Sequence, residues 1–171
     1  MTQIQSNVTH PSPLSVVLGA IVGEAIVNAA NTTGLGGRGV DSAITAAGGL
    51  GMAVERLQFK CVTCAAAHRP NGQCRGVRIP EGKCMWTSAG QPGSDLSCRL
   101  VVHAAGPIFS KGDTHIERQE KFLKLRNLYF LVLDQAEEKK VQSIAFSLIS
   151  ANMLRADAEL DTVIIIIVDR A

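Results

Sequence analysis

Residues 24–49, EAIVNAANTTGLGGRGVDSAITAAGG, decide how this chain reads. An apolar strand, Ala25-Ile26-Val27, runs into Asn28 and Asn31. A glycine-rich loop from Gly34 to Gly39 follows, and residues 40–47 read as a short helix with Asp41 near its start. An unbroken apolar run suits a strand buried on both faces. In folds that alternate strands with helices, ligands sit at the carboxyl ends of the strands. Glycines there let backbone N–H groups approach an anion closely, and a helix start adds a favourable dipole. A carboxylate such as Asp41 is favoured in a first helical turn. The segment is expected to hold a phosphate-bearing ligand beside polar side chains.

Outward from it, strands are expected at 14–18, at 77–79, at 100–103 before Gly106-Pro107, at 143–146 and at 163–168. Residues 52–59 read as helical. The longest helix is expected over 116–140, where Phe122, Leu125, Leu128, Leu131 and Val132 recur at helical spacing and Lys139-Lys140 suit the C-terminus. This alternation predicts an α/β fold, a mixed sheet sandwiched by helices. Residues 1–13 are expected to be a loose lead-in and residues 14–171 a single domain, because one core suffices for 171 residues.

Bulk properties narrow the function. A hydrophobic content of 46% and a mean hydropathy of +0.17 describe a folded globule. A net charge of +2 without a basic run argues against a nucleic-acid surface, and 4% aromatic residues against a base-stacking platform. No apolar stretch approaches the roughly 20 residues that span a bilayer. The start, MTQIQSNVTHPSP, lacks a signal-peptide pattern. Five cysteines, an odd count, suit reduced thiols, so a cytoplasmic or nuclear location is expected. A monomer without membrane or nucleic-acid partners is expected.

Asn28-Ala29-Ala30-Asn31 followed by Gly36-Gly37-Arg38-Gly39-Val40-Asp41 resembles the signature of macro domains, the ADP-ribose-binding modules. Leu100-Val-Val-His103-Ala-Ala-Gly106-Pro107 is similar to that family's VIHTVGP strand, and Ser143-Ile-Ala-Phe146-Ser-Leu-Ile149-Ser150 to its SIAFPAIS strand. The resemblance implies a three-layer α/β/α fold with a central mixed sheet and ADP-ribose in a surface cleft. It implies hydrolysis of mono-ADP-ribose from acidic protein side chains, or of O-acetyl-ADP-ribose, with Asn31 and Asp41 as the functional pair. Asn31 would hold a ribose hydroxyl and Asp41 would orient or activate a water. Removing Asp41 is expected to abolish turnover with the fold intact. Ligand contacts are implied at Ala20, Ile21, Asn31, Gly36, Gly37, Arg38, Gly39, Val40, Ser150, Ala151, Asn152, Met153 and Leu154. No cofactor is implied beyond ADP-ribose as ligand, and the implied partners are ADP-ribose or mono-ADP-ribosylated proteins.

The chain departs from the family pattern in places. A G-D-I triplet whose acid binds adenine stands here as Gly19-Ala20-Ile21. The second phosphate loop, Ser150-Ala151-Asn152-Met153-Leu154-Arg155, lacks both family glycines, and Arg38 replaces a glycine. Residues 156–162 are too few for a full crossover helix. These features leave a second function class open: a non-catalytic ADP-ribose reader, or a degenerate macro fold that binds weakly.

Other readings have less behind them. Gly34-x-Gly36-x-x-Gly39 fits a dinucleotide-binding pattern, but six residues separate it from its strand. Cys61, Cys64, His68 and Cys74 have the types and spacing of a small zinc site, against scattered thiols on an insertion. His103, on an apolar strand, is read as a satisfied core histidine, and Asn28 as a structural residue bonding loop backbone.

Overall fold

A computed structural model describes residues 24–63, 76–89 and 94–150. The elements run β1 (Ala25–Ala30), α1 (Val40–Leu57), β2 (Lys83–Ser88), β3 (Leu100–Ala105), α2 (His115–Glu138) and β4 (Ile144–Phe146). The sheet order is β2-β3-β1-β4. β1 is parallel to β3 and β4, and β2 is antiparallel to β3. The sheet is mixed and helices pack on it from both sides, as the three-layer α/β/α expectation requires.

Alternation along β1 explains its unbroken apolar run. Successive residues of a strand face opposite sides. Ile26 joins Val101 and packs on Ile44 and Met52 of α1. Val27 joins Val102 and packs on Leu125, Leu128 and Val132 of α2. Both sides are covered, so neither residue may be polar.

α2 opens with a capping box. Thr114 Oγ1 accepts from the Glu117 backbone N–H, and the Glu117 carboxylate accepts from that of Thr114. Leu125, Leu128 and Val132 are buried as the periodicity predicts, whereas Phe122 and Leu131 lie at the margin of the core. α1 contains a break at Gly49 (φ 66, ψ −164). Two helices were expected there, and Gly49 is where the chain turns between them.

One expectation needs correction. Residues 77–79 form no strand. Instead Arg78 and Ile79 donate backbone N–H groups to the Thr32 carbonyl, which pins the loop after β1. The strand on that side is β2, at an edge of the sheet among the described residues, whose sequence KCMWTS mixes polar and apolar residues and so carries no clear periodic signal. The expected strands at 14–18 and 163–168, and the lead-in, lie outside the described residues. Among the described residues no helix is long and apolar enough to cross a membrane.

Candidate functional site

β1, β3 and β4 end on the same edge of the sheet, where the glycine loop also lies. Asn31 follows β1 and folds the loop around itself. Its Nδ2 donates to the Gly36 carbonyl (2.8 Å), and its Oδ1 accepts from Thr33 N (3.0 Å) and Thr33 Oγ1 (2.5 Å). Gly36 (φ 101) and Gly39 (φ 62) adopt backbone that side-chain-bearing residues avoid. Gly39 then opens α1 with no side-chain cap, so the first amides of the helix have no side-chain acceptor at that position. Gly37 and Arg38 are exposed; Gly36, Gly39 and Val40 are partly so.

Gly37 is needed for close approach. A Cβ there would stand 2.9 Å from Asn31 Nδ2 and 3.0 Å from Asp41 Oδ2. The two residues expected to form a pair therefore converge beneath an exposed glycine, ten positions apart in sequence.

Asp41 is almost wholly buried, at 2% exposure. Its Oδ1 accepts from Asn28 Nδ2 (2.8 Å) and from Arg56 Nη2 (3.0 Å). Its Oδ2 has no hydrogen-bond partner among the described residues and lies on the Gly37 side. The buried ion pair argues against the expectation that Asp41 can be removed with the fold untouched. Removing one partner of a buried ion pair leaves an uncompensated charge, at a cost of about 3–5 kcal/mol.

Asn28 extends the network across the sheet. It is fully buried beside His103 in the β1–β3 register. Its second N–H points to His103 Nδ1 (2.9 Å), and Thr87 Oγ1 lies 2.9 Å from His103 Nε2. Because an amide nitrogen only donates, Nδ1 is the acceptor and Nε2 carries the proton toward Thr87. Burial, reinforced by the nearby Arg56 charge, pushes the His103 pKa down to about 3. His103 is thus a neutral core histidine, as read from the sequence. Asn28 is structural too, but it bonds side chains of α1 and β3 rather than loop backbone.

The exits of β3 and β4 are tied together. Ser150 Oγ donates to the Pro107 carbonyl (2.8 Å), and Ile149 N donates to Tyr129 Oη of α2 (3.0 Å). Ser150, buried with φ 60, starts the second loop. Ala20, Ile21, Ala151, Asn152, Met153 and Leu154 lie outside the described residues. So do Cys64, His68 and Cys74 of the zinc candidates. Cys61 is buried with Sγ 3.6 Å from Thr63 Oγ1. Among the described residues no group of three metal-ligating side chains comes together.

Arg56 and Thr45 escaped the sequence reading. Arg56 was legible in principle: it stands four residues after Met52 in the second half of α1, so a charged residue shares the inward face of an apolar one. A cation there demands a buried anion.

The family model for the macro domain matches residues 27–165. A macro domain-containing protein of Listeria monocytogenes is 38% identical over 130 residues, covering 76% of this chain and 61% of that protein. A protein of Citrobacter rodentium named O-acetyl-ADP-ribose deacetylase is 37% identical over 130 residues, again 76% of this chain and 61% of its own length. This chain therefore spans about three fifths of either relative. The solved structure of the Oceanobacillus iheyensis macrodomain with ADP superimposes with a TM-score of 0.65 at 28% identity, covering 86% of this chain and 66% of that one. With the paired sheet, the glycine loop and the sequence match in agreement, the chain belongs to the macro domain family.

Proposed function

We propose that this macro domain binds ADP-ribose and hydrolyses it from acidic protein side chains or from O-acetyl-ADP-ribose. The observation that carries the reading is the convergence of Asn31 Nδ2 and Asp41 Oδ2 beneath Gly37. A ligand laid over the glycine loop would meet backbone N–H groups with its phosphates and this pair with its distal ribose. Asn31 Nδ2 spends one hydrogen on Gly36, which leaves the other for a ribose hydroxyl. Asp41, held through Oδ1, presents Oδ2 to orient a water. The reaction consumes that water: its oxygen bonds the acyl carbon as the bond from that carbon to the ribose oxygen breaks, one of its protons goes to the ribose oxygen and the other to solvent, and the acyl group leaves as a carboxylate. No metal or covalent nucleophile is needed for these steps. The relatives named above support the reading, one being named a deacetylase and one being a macrodomain solved with ADP.

One observation favours a second reading, a non-catalytic ADP-ribose reader. Asp41 is almost wholly buried and its Oδ1 is already engaged by Asn28 and Arg56, which leaves Oδ2 alone to reach a substrate water. Calorimetric titration with ADP-ribose, with AMP as the control, tests the shared element. Turnover of a mono-ADP-ribosylated protein and of O-acetyl-ADP-ribose by wild type, Asn31→Ala and Asp41→Asn then separates the readings. Turnover lost in both variants with binding retained supports the hydrolase. Binding by the wild type without turnover supports the reader, and no binding sinks both.

A further inference from the structure

We propose that Arg56 is the positioning residue of this site, carried under the glycine loop by the break at Gly49. The inference rests on the ADP-ribose reading for its ligand and on the described geometry for everything else.

Arg56, 1% exposed, spends its guanidinium on three parts of the site. Nε donates to the Gly34 carbonyl (2.6 Å), Nη1 to Thr45 Oγ1 (2.7 Å) and Nη2 to Asp41 Oδ1 (3.0 Å). Gly34 begins the loop, Asp41 follows its end and Thr45 stands one turn further along α1. Thr45 is itself anchored, donating to the Asp41 carbonyl (2.6 Å). A single planar cation thus ties both ends of the loop to the helix. Five N–H donors in a rigid fork suit this task, whereas a lysine ammonium is a compact point charge.

Arg56 lies fifteen residues after Asp41. In an unbroken helix that separation would be about 22 Å along the axis, beyond the reach of an arginine side chain. The contact exists because Gly49 reverses the run of α1 with φ 66 and ψ −164, a combination essentially confined to glycine. A Cβ at Gly49 would meet nothing within 4 Å, so the requirement there is for the dihedral angles and not for space. Loop, carboxylate and turn form one device: Gly49 delivers Arg56, and Arg56 sets the positions of Asp41 and the Gly34 carbonyl.

The test compares Arg56→Lys and Gly49→Ala with the wild type by backbone hydrogen exchange and by ADP-ribose calorimetry. Amides of residues 34–41 should exchange faster in both variants while those of β1 and β3 keep their protection. ADP-ribose affinity should fall about tenfold in Arg56→Lys, the equivalent of one charge-assisted hydrogen bond. Wild-type exchange in the loop together with wild-type affinity in Arg56→Lys overturns the proposal. So does a uniform loss of protection across the sheet, which marks general destabilisation. If Arg56→Lys does not fold, Gly49→Ala decides alone, since it leaves every hydrogen-bonding group in place; wild-type loop exchange in that variant refutes the proposal. A wild type that fails to bind ADP-ribose removes the ligand reading, while the exchange data still judge the positioning role.

Discussion

Lowering the pH from about 7.5 to about 5 should weaken this fold by about 2 kcal/mol through His103 alone. The unfolded chain carries an ordinary histidine with a pKa of 6.5, whereas the folded His103 titrates at about 3, held neutral by burial and then by the Arg56 charge. The folded value is the lower one, so between the two the unfolded state binds more protons. The stability is therefore fully present above pH 6.5 and is lost as the pH falls toward 3. Near pH 5 the solution lies about 1.5 units below the unfolded pKa, and at about 1.4 kcal/mol per unit this gives about 2 kcal/mol. The full difference of about 3.5 units corresponds to about 5 kcal/mol. The donor pattern agrees with that: a protonated Nδ1 would face the Asn28 N–H that now donates to it. The assay is urea denaturation of wild type and His103→Gln at both pH values. The window stays above the carboxylate range, and subtracting the variant removes the contributions of His10, His68 and His115. His103→Gln should be less stable at neutral pH but should lose about 2 kcal/mol less on acidification. Equal pH dependence in the two proteins would refute the reasoning.

Three further outcomes are expected. Thr87→Val removes the acceptor of the His103 Nε2–H and should cost about 1–3 kcal/mol, read from the denaturation midpoint; a change inside experimental error would mean that this contact carries no net stability. Gly37→Glu crowds Asn31 and sets a second carboxylate beside Asp41, so ADP-ribose affinity should fall about a hundredfold or more by calorimetry, and undiminished affinity would rule out a ligand path over Gly37. Asp41→Ala should lower stability by about 3–5 kcal/mol, because it strands the buried Arg56 cation; an unchanged melting transition would show that the ion pair is not a structural element.

How much was legible follows from the range of each interaction. The strand at 100–103, the long helix and the two halves of α1 could be read because their periodic patterns are local. β2 could not, since a short edge strand of mixed polarity has no period strong enough to stand out. Asn31, the glycine loop and Asp41 were legible as a motif because they are nearly contiguous. Their actual bonding was not: Asn31 is engaged by its own loop, while Asp41 answers to Asn28 and Arg56.

By itself, then, the sequence determined the family, the α/β alternation and the segment where a ligand is expected, because short-range patterning and a contiguous motif need no knowledge of the rest of the chain. Only the tertiary structure decided which groups are charged, neutral or held in place. The β1–β3 register sets His103 beside Asn28, and the turn at Gly49 brings Arg56 back to Asp41. Those contacts join residues 75 and 15 positions apart, and hydrogen-bond partners and burial are properties of where chain segments meet in space.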